Sequence, residues 1–129
     1  MTTLDFVYDA RPGRVVFGAG SLQHLEREVL ALGAERALIL STPEQRASAE
    51  AISQRLGKRS AGVFDRAVMH VPIEVAREAR QAARDMNADC AIAGSGGSTI
   101  GLGKAIARDS RLPILAIPTT YAGSEMTPI

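Results

Sequence analysis

The stretch "CAIAGSGGSTIGLGKAIA", residues 90–107, decides the fold class. An apolar run at 90–94 ends at a Ser-Gly-Gly-Ser sequence at 95–98, and apolar residues with helical spacing follow up to residue 109. A short apolar run that meets glycines and then a helix is typical of a buried parallel strand and its crossover helix. The stretch therefore predicts an α/β fold.

The rest of the chain repeats this order of strand and helix. Strands are predicted at 36–41, 60–65, 90–94 and 113–118, and helices at 21–32, 43–57, 72–87 and 98–109. Residues 4–8 and 14–17 form a predicted hairpin around Pro12-Gly13, which suits a tight turn. The alternation predicts a Rossmann-like parallel sheet with flanking helices and an N-terminal β-hairpin.

The first predicted helix has a start signal, an apolar face and a stop signal. Ser21 is a candidate N-cap, and Gly33 is a suitable C-terminal stop. Its apolar face is made of four residues, namely Leu22, Leu25, Val29 and Leu32.

Composition excludes several classes of protein. The chain has 129 residues, 46% of them hydrophobic and 22% charged, which indicates one globular domain. The net charge is +1, and no block of basic residues marks a nucleic-acid or membrane partner. Neither a signal peptide nor a membrane-spanning run is recognisable, so we expect a cytoplasmic protein. The single cysteine, Cys90, lies in an apolar run and is interpreted as a small buried hydrophobe.

The glycines at 96–97 allow two interpretations. They suit an anion site, because a helix that begins near Ser98 would point free N–H groups at a ligand that glycine lets approach closely. They equally suit a tight turn that needs a positive φ. Neither common phosphate motif fits, since Thr99 replaces the third glycine of a G-x-G-x-x-G motif and Ala105 replaces the Ser/Thr of a P-loop. The earlier Gly18-Ala19-Gly20 is interpreted as a structural turn.

A second polar segment follows the next predicted strand. "PTTYAGSEMT", residues 118–127, places Thr119 and Thr120 at the carboxyl end of that strand. Because carboxyl ends of parallel strands share one edge of a sheet, two polar loops there favour a ligand cleft.

These segments resemble the iron-containing alcohol dehydrogenase superfamily, and within it the maleylacetate reductases. The similarity is carried by "RVVFGAGS", "RALILSTPEQ", "AGVFDRAVMHVP", "GGST" with "GLGKAIA", and "PTTYAGSEMTPI". The resemblance implies that residues 1–129 are an N-terminal dinucleotide-binding domain that takes NADH or NADPH. It implies cofactor contacts from seven residues: Thr42, Ser95, Gly96, Gly97, Ser98, Thr119 and Thr120.

Three positions depart from the superfamily pattern. Ser95 replaces the first glycine of the usual GGGS, and Gly101 replaces an Asp, as is common in maleylacetate reductases. Thr42 stands where an acidic residue often grips the ribose 2′-OH. Since no carboxylate repels a 2′-phosphate there, the choice between NADH and NADPH stays open.

The resemblance also implies the activity of the whole enzyme. It is reduction of the carbon–carbon double bond of maleylacetate to give 3-oxoadipate, in the degradation of (chloro)aromatic compounds by a homodimer. The metal ligands of the superfamily belong to a helical C-terminal domain, so we expect this fragment alone to be inactive and assign it no catalytic residue. His24 and His70 share no metal-ligand spacing, and neither is predicted to bind a metal.

Two other functions remain open at this point. One is an NAD-dependent alcohol or glycerol dehydrogenase of the same superfamily. The other is a nucleotide-binding module without catalytic activity.

Overall fold

The computed structural model describes residues 14–16, 19–95 and 97–118. Within these ranges one parallel sheet has the strand order β2-β1-β3-β4. Its strands are β1 (Ala37–Leu40), β2 (Ser60–Phe64), β3 (Cys90–Ser95) and β4 (Ile114–Pro118). The α-helices are α1 (Leu25–Ala31), α2 (Arg46–Leu56), α3 (Ile73–Asp85) and α4 (Gly97–Ser110). Short 3-10 helices lie at Ser21–His24, Pro43–Gln45 and Gly57–Arg59.

The two central strands form the middle of the core. Every residue of β1 is fully buried, and so are residues 90–93 of β3. Strands that read as continuous apolar runs, as these two do, are expected where helices cover both faces of a parallel sheet.

The helices cover both faces of the sheet. Successive strand residues point to opposite sides, so neighbouring residues of one strand contact different helices. Ile39 and Ile92 pack with α1 and α2 on one face. Leu38 and Ala91 pack with α3 and α4 on the other face. The helices reach the sheet through small or branched residues, which are Leu25, Val29, Ala49, Leu56, Ala76, Ala79, Ala83, Leu102 and Ile106.

Glycine at position 33 ends the first helix as predicted. Gly33 has φ +75 and donates its N–H to Leu30 O at 2.9 Å, while Ala34 N–H reaches Val29 O at 3.3 Å. These two bonds form a Schellman motif, which needs a left-handed residue and so favours glycine.

The predicted cap of this helix was wrong. Gly20, with φ +73, occupies the N-cap position, and Ser21 is the first residue of the 3-10 helix. Since the first turn is a 3-10 helix, the α-helical spacing begins only at Leu25. Leu22 therefore leaves the apolar face and is 41% exposed. Leu32, the C-cap residue after the end of α1, is 40% exposed.

The predicted parallel sheet with flanking helices is confirmed, with element ends that differ by a few residues from those expected. The predicted hairpin lies mostly outside the described residues, and its described part, 14–16, is in no strand. In the described part of the chain, no helix is long and apolar enough to cross a membrane.

Candidate functional site

The strand order places a topological switch point, called here the crevice, at the carboxyl edge of the sheet. From β1 the chain crosses through α2 to β2 on one side, and from β3 it crosses through α4 to β4 on the other. These two helices cover opposite faces of the sheet. The chain thus diverges between the ends of β1 and β3, and such a switch point is where open α/β sheets bind ligands.

Only one residue separates β3 from α4. The strand ends at Ser95 and the helix begins at Gly97, so the amino end of α4 lies directly at the crevice. The first N–H groups of a helix lack partners within it, and its dipole is positive at this end. The first turn of α4 carries no acidic residue. This end of α4 is therefore suited to an anion.

Gly97 differs from the other glycines of this region in what surrounds it. Its φ lies outside the positive range, and a Cβ built on it meets no described atom within 4 Å. By contrast, a Cβ at Gly94 would lie 3.3 Å from Ile52 Cδ1, and one at Gly103 would lie 3.3 Å from Ile114 Cδ1. Among the described residues, neither backbone conformation nor packing thus requires glycine at 97, and the space beside it is open.

A buried threonine closes the loop between β3 and α4. The Thr99 hydroxyl donates to Gly94 O at 2.8 Å, and the residue is fully buried. This bond joins the strand end to the first turn of the helix across residues 95–98. Thr99 stands where a G-x-G-x-x-G motif would have its third glycine. Its side chain instead holds the loop through this hydrogen bond.

Thr42 lies on the other side of the crevice, just beyond β1. Because Leu40 pairs with Ala93, residues 42 and 95 both lie two positions beyond the same paired level. Thr42 Oγ1 accepts from Gln45 N–H at 3.2 Å and caps the 3-10 helix that leads into α2. The structure therefore brings Thr42 and the 95–98 loop to the same edge.

The structure describes only some of the other predicted cofactor residues. Ser98 lies in the first turn of α4 and is half-buried. Ser95 pairs with Pro118, so β4 also ends beside the crevice. Gly96, Thr119 and Thr120 lie outside the described residues, and their roles stay predictions.

Charged side chains near Thr42 were missed by the sequence analysis. Arg46, the first residue of α2, pairs with Asp65 just beyond β2 and with Glu50 at 3.0 Å. The hydrogen bond that Arg46 donates to the Asp65 carboxylate is the main cause that raises the pKa of Arg46 above its ordinary value. The sequence shows Asp65 as a carboxylate at the end of a predicted strand. It does not show that this strand lies beside β1.

Cys90 is buried in the sheet, as predicted. Burial, aided by the charge of Asp89, raises the pKa of its thiol to about 12. A thiol with that pKa is almost fully protonated at neutral pH and is a poor nucleophile.

The two histidines lie apart from this crevice or face solvent. His24 is half-buried at the end of the first 3-10 helix, and His70 is exposed before α3. Among the residues that the structure describes, no three His, Cys, Asp or Glu side chains converge to hold a metal ion. A shallow depression of about 580 Å³ lies elsewhere, between residues 20–23 and Arg55 at the end of α2.

Comparison with known proteins gives concordant matches. The family described as iron-containing alcohol dehydrogenase matches residues 12–129. The maleylacetate reductase of Burkholderia cepacia is 68% identical over 124 residues, which are 96% of this chain and 35% of that protein. The crystal structure of maleylacetate reductase from Agrobacterium tumefaciens matches with a TM-score of 0.94 and 52% identity, over 98% of this chain and 36% of that one. That of the Rhizobium sp. strain MTP-10005 enzyme matches with a TM-score of 0.93 and 53% identity, over 96% and 35%. The chain thus spans only 35–36% of the length of these relatives.

Proposed function

Because this chain belongs to the iron-containing alcohol dehydrogenase family, we propose that the crevice between β1 and β3 binds the diphosphate of NADH or NADPH. The open space beside Gly97 carries this proposal. A glycine that neither its φ nor its neighbours require leaves room for a ligand, and that room lies at the positive end of α4.

The residues at this edge divide between the parts of the cofactor. The N–H groups of Gly97 and Ser98 face the diphosphate, with the hydroxyl of Ser98 beside it. By family resemblance, Ser95 and Gly96 contribute to the same contact. Thr42 lies toward the adenosine ribose, as the residue at the end of the neighbouring strand does in dinucleotide-binding folds. By family resemblance, Thr119 and Thr120 line the cofactor at the end of β4.

The proposed activity of the whole protein is reduction of maleylacetate to 3-oxoadipate. The cofactor, when bound, supplies a hydride for the carbon–carbon double bond. The names of relatives that are 68%, 54% and 51% identical support this substrate. In this proposal residues 1–129 are the dinucleotide-binding domain, and groups that hold the substrate come from the further length that the relatives possess.

Gly101 favours the reductase over an alcohol dehydrogenase. A Cβ at this position would lie 3.1 Å from Val71 Cγ2, so the Asp usual in the superfamily would require Val71 to move by a few tenths of an ångström. The chain is thus built around the glycine that is common in maleylacetate reductases.

Substrate assays test the proposed activity. We expect a protein of the relatives' full length to oxidise NADH or NADPH with maleylacetate and to show little activity with glycerol or short alcohols. Turnover of the alcohols with none of maleylacetate would contradict the proposal, and nucleotide binding without any turnover would favour a non-catalytic module.

Replacement of Gly97 by Val tests the binding site in the 129-residue chain. The branched side chain fits the fold but fills the space assigned to the anion, so we expect the affinity for NADH to fall at least about tenfold. Quenching or enhancement of nicotinamide fluorescence on titration measures the dissociation constant. Arg108→Val is the control, because it places the same side chain about 16 Å away, eleven residues along the same helix. Equal affinity of folded Gly97→Val and wild-type protein would rule out a diphosphate at this loop.

A further inference from the structure

The edge beside Thr42 does carry a carboxylate, and it comes from the neighbouring strand. Leu40 pairs with Phe64, so Asp65 follows β2 at the level of Ser41. Two backbone bonds hold this arrangement, from Ser41 N–H to Phe64 O at 2.8 Å and from Ala67 N–H to Ser41 O at 3.0 Å. Asp65 therefore lies next to the end of β1, where Thr42 stands in place of the acidic residue that is common in the superfamily.

Arg46 is the cation closest in sequence to Thr42, and it is already paired. It lies four residues after Thr42, at the start of α2, and its guanidinium contacts both Asp65 and Glu50. These three side chains, called here the ribose-edge cluster, carry a formal net charge of −1. Glu44, exposed in the turn before α2, adds a further negative charge. Arg66, which follows Asp65 in the chain, is itself paired with Glu78 at 2.6 Å.

This charge pattern distinguishes the two nucleotides. A 2′-phosphate carries about two negative charges, and at Arg46 it would share the guanidinium with Asp65 and Glu50, whose carboxylates repel it. A 2′-OH instead donates a hydrogen bond that a carboxylate accepts well. From this geometry we infer that the ribose-edge cluster makes the site select NADH over NADPH. The inference rests on the proposed function and deepens it.

Titration of the 129-residue chain with NADH and NADPH, each followed by nicotinamide fluorescence, tests this inference. For a net repulsion at about 10 Å from the 2′-phosphate we expect NADH to bind about tenfold more tightly than NADPH at low salt. The preference should shrink as ionic strength rises, because exposed charges are screened.

Removal of the carboxylates should reduce the preference. Asp65→Asn should lower the ratio of the NADPH dissociation constant to the NADH dissociation constant at least about threefold. Asp65→Asn with Glu50→Gln should abolish or reverse the preference for NADH, since Arg46 is then free for the phosphate. Asp109→Asn is the matched control. It removes the same charge and breaks an arginine pair, that of Arg80 at 2.7 Å, but it lies at the far end of α4.

The outcomes separate this inference from the function on which it rests. If wild-type chain binds neither nucleotide, the proposed function is wrong and the selectivity is wrong with it. If NADH and NADPH bind equally, or if the ratio is the same in the Asp65, Asp65/Glu50 and Asp109 variants, the binding site stands and the inference is overturned.

Discussion

At the scale of single residues, the glycines around α4 perform different tasks. Gly103 lets the helix approach Ile114 and Ala93 of the sheet, and Gly101 accommodates Val71. Gly97 contacts no described side chain. Packing within the domain explains the first two, whereas for the third we propose a ligand.

Thr99 has a testable role at the same scale. Thr99→Val keeps the shape of the side chain but removes the bond to Gly94 O, which should cost about 1 kcal/mol of stability. Because that bond fixes the 95–98 loop, we expect a roughly fivefold loss of NADH affinity and faster amide hydrogen exchange at 97–98. Thr99→Ser, which restores the hydroxyl, should recover both. If the Val variant had an unchanged exchange rate and an unchanged affinity, the hydrogen bond would not fix the loop, and Thr99 would serve only to fill the core.

At the scale of elements, periodicity was enough for the strands and helices but not for their ends. The apolar runs at 36–41 and 90–94 predicted strands. The structure places both at the centre of the sheet, where helices on both faces bury residues 37–40 and 90–93 completely. The prediction of Ser21 as a cap was wrong, since a glycine with positive φ and a 3-10 turn precede α1. No residue type in the sequence distinguishes that 3-10 turn from the first turn of an α-helix.

The candidate site was predictable only in part for a related reason. The glycine loop and Thr42 follow strands that the sequence identifies, so their place at one edge was foreseeable. The ribose-edge cluster depends on β2 lying beside β1, and strand order is a property of tertiary packing that local patterns do not encode. Asp65 was therefore visible as a residue but not as a neighbour of Arg46.

At the scale of the whole molecule, the family resemblance seen in the sequence is confirmed. The chain contains the proposed binding edge and spans 35% of its Burkholderia cepacia relative. The homodimer and the cytoplasmic location implied earlier stay predictions. Binding of the nucleotide by these 129 residues can be tested apart from the activity proposed for the whole protein.

The measurement that tests the central claim most directly is an NMR titration of the isotopically labelled chain with NADH, followed at backbone amides. We predict saturable shifts of the Gly97 and Ser98 amides, with the dissociation constant that nicotinamide fluorescence reports. The amides at the opposite end of the sheet, such as Ala37, should stay in place. Binding of NADH that leaves the Gly97 and Ser98 signals unmoved, or no binding at all, would contradict the account.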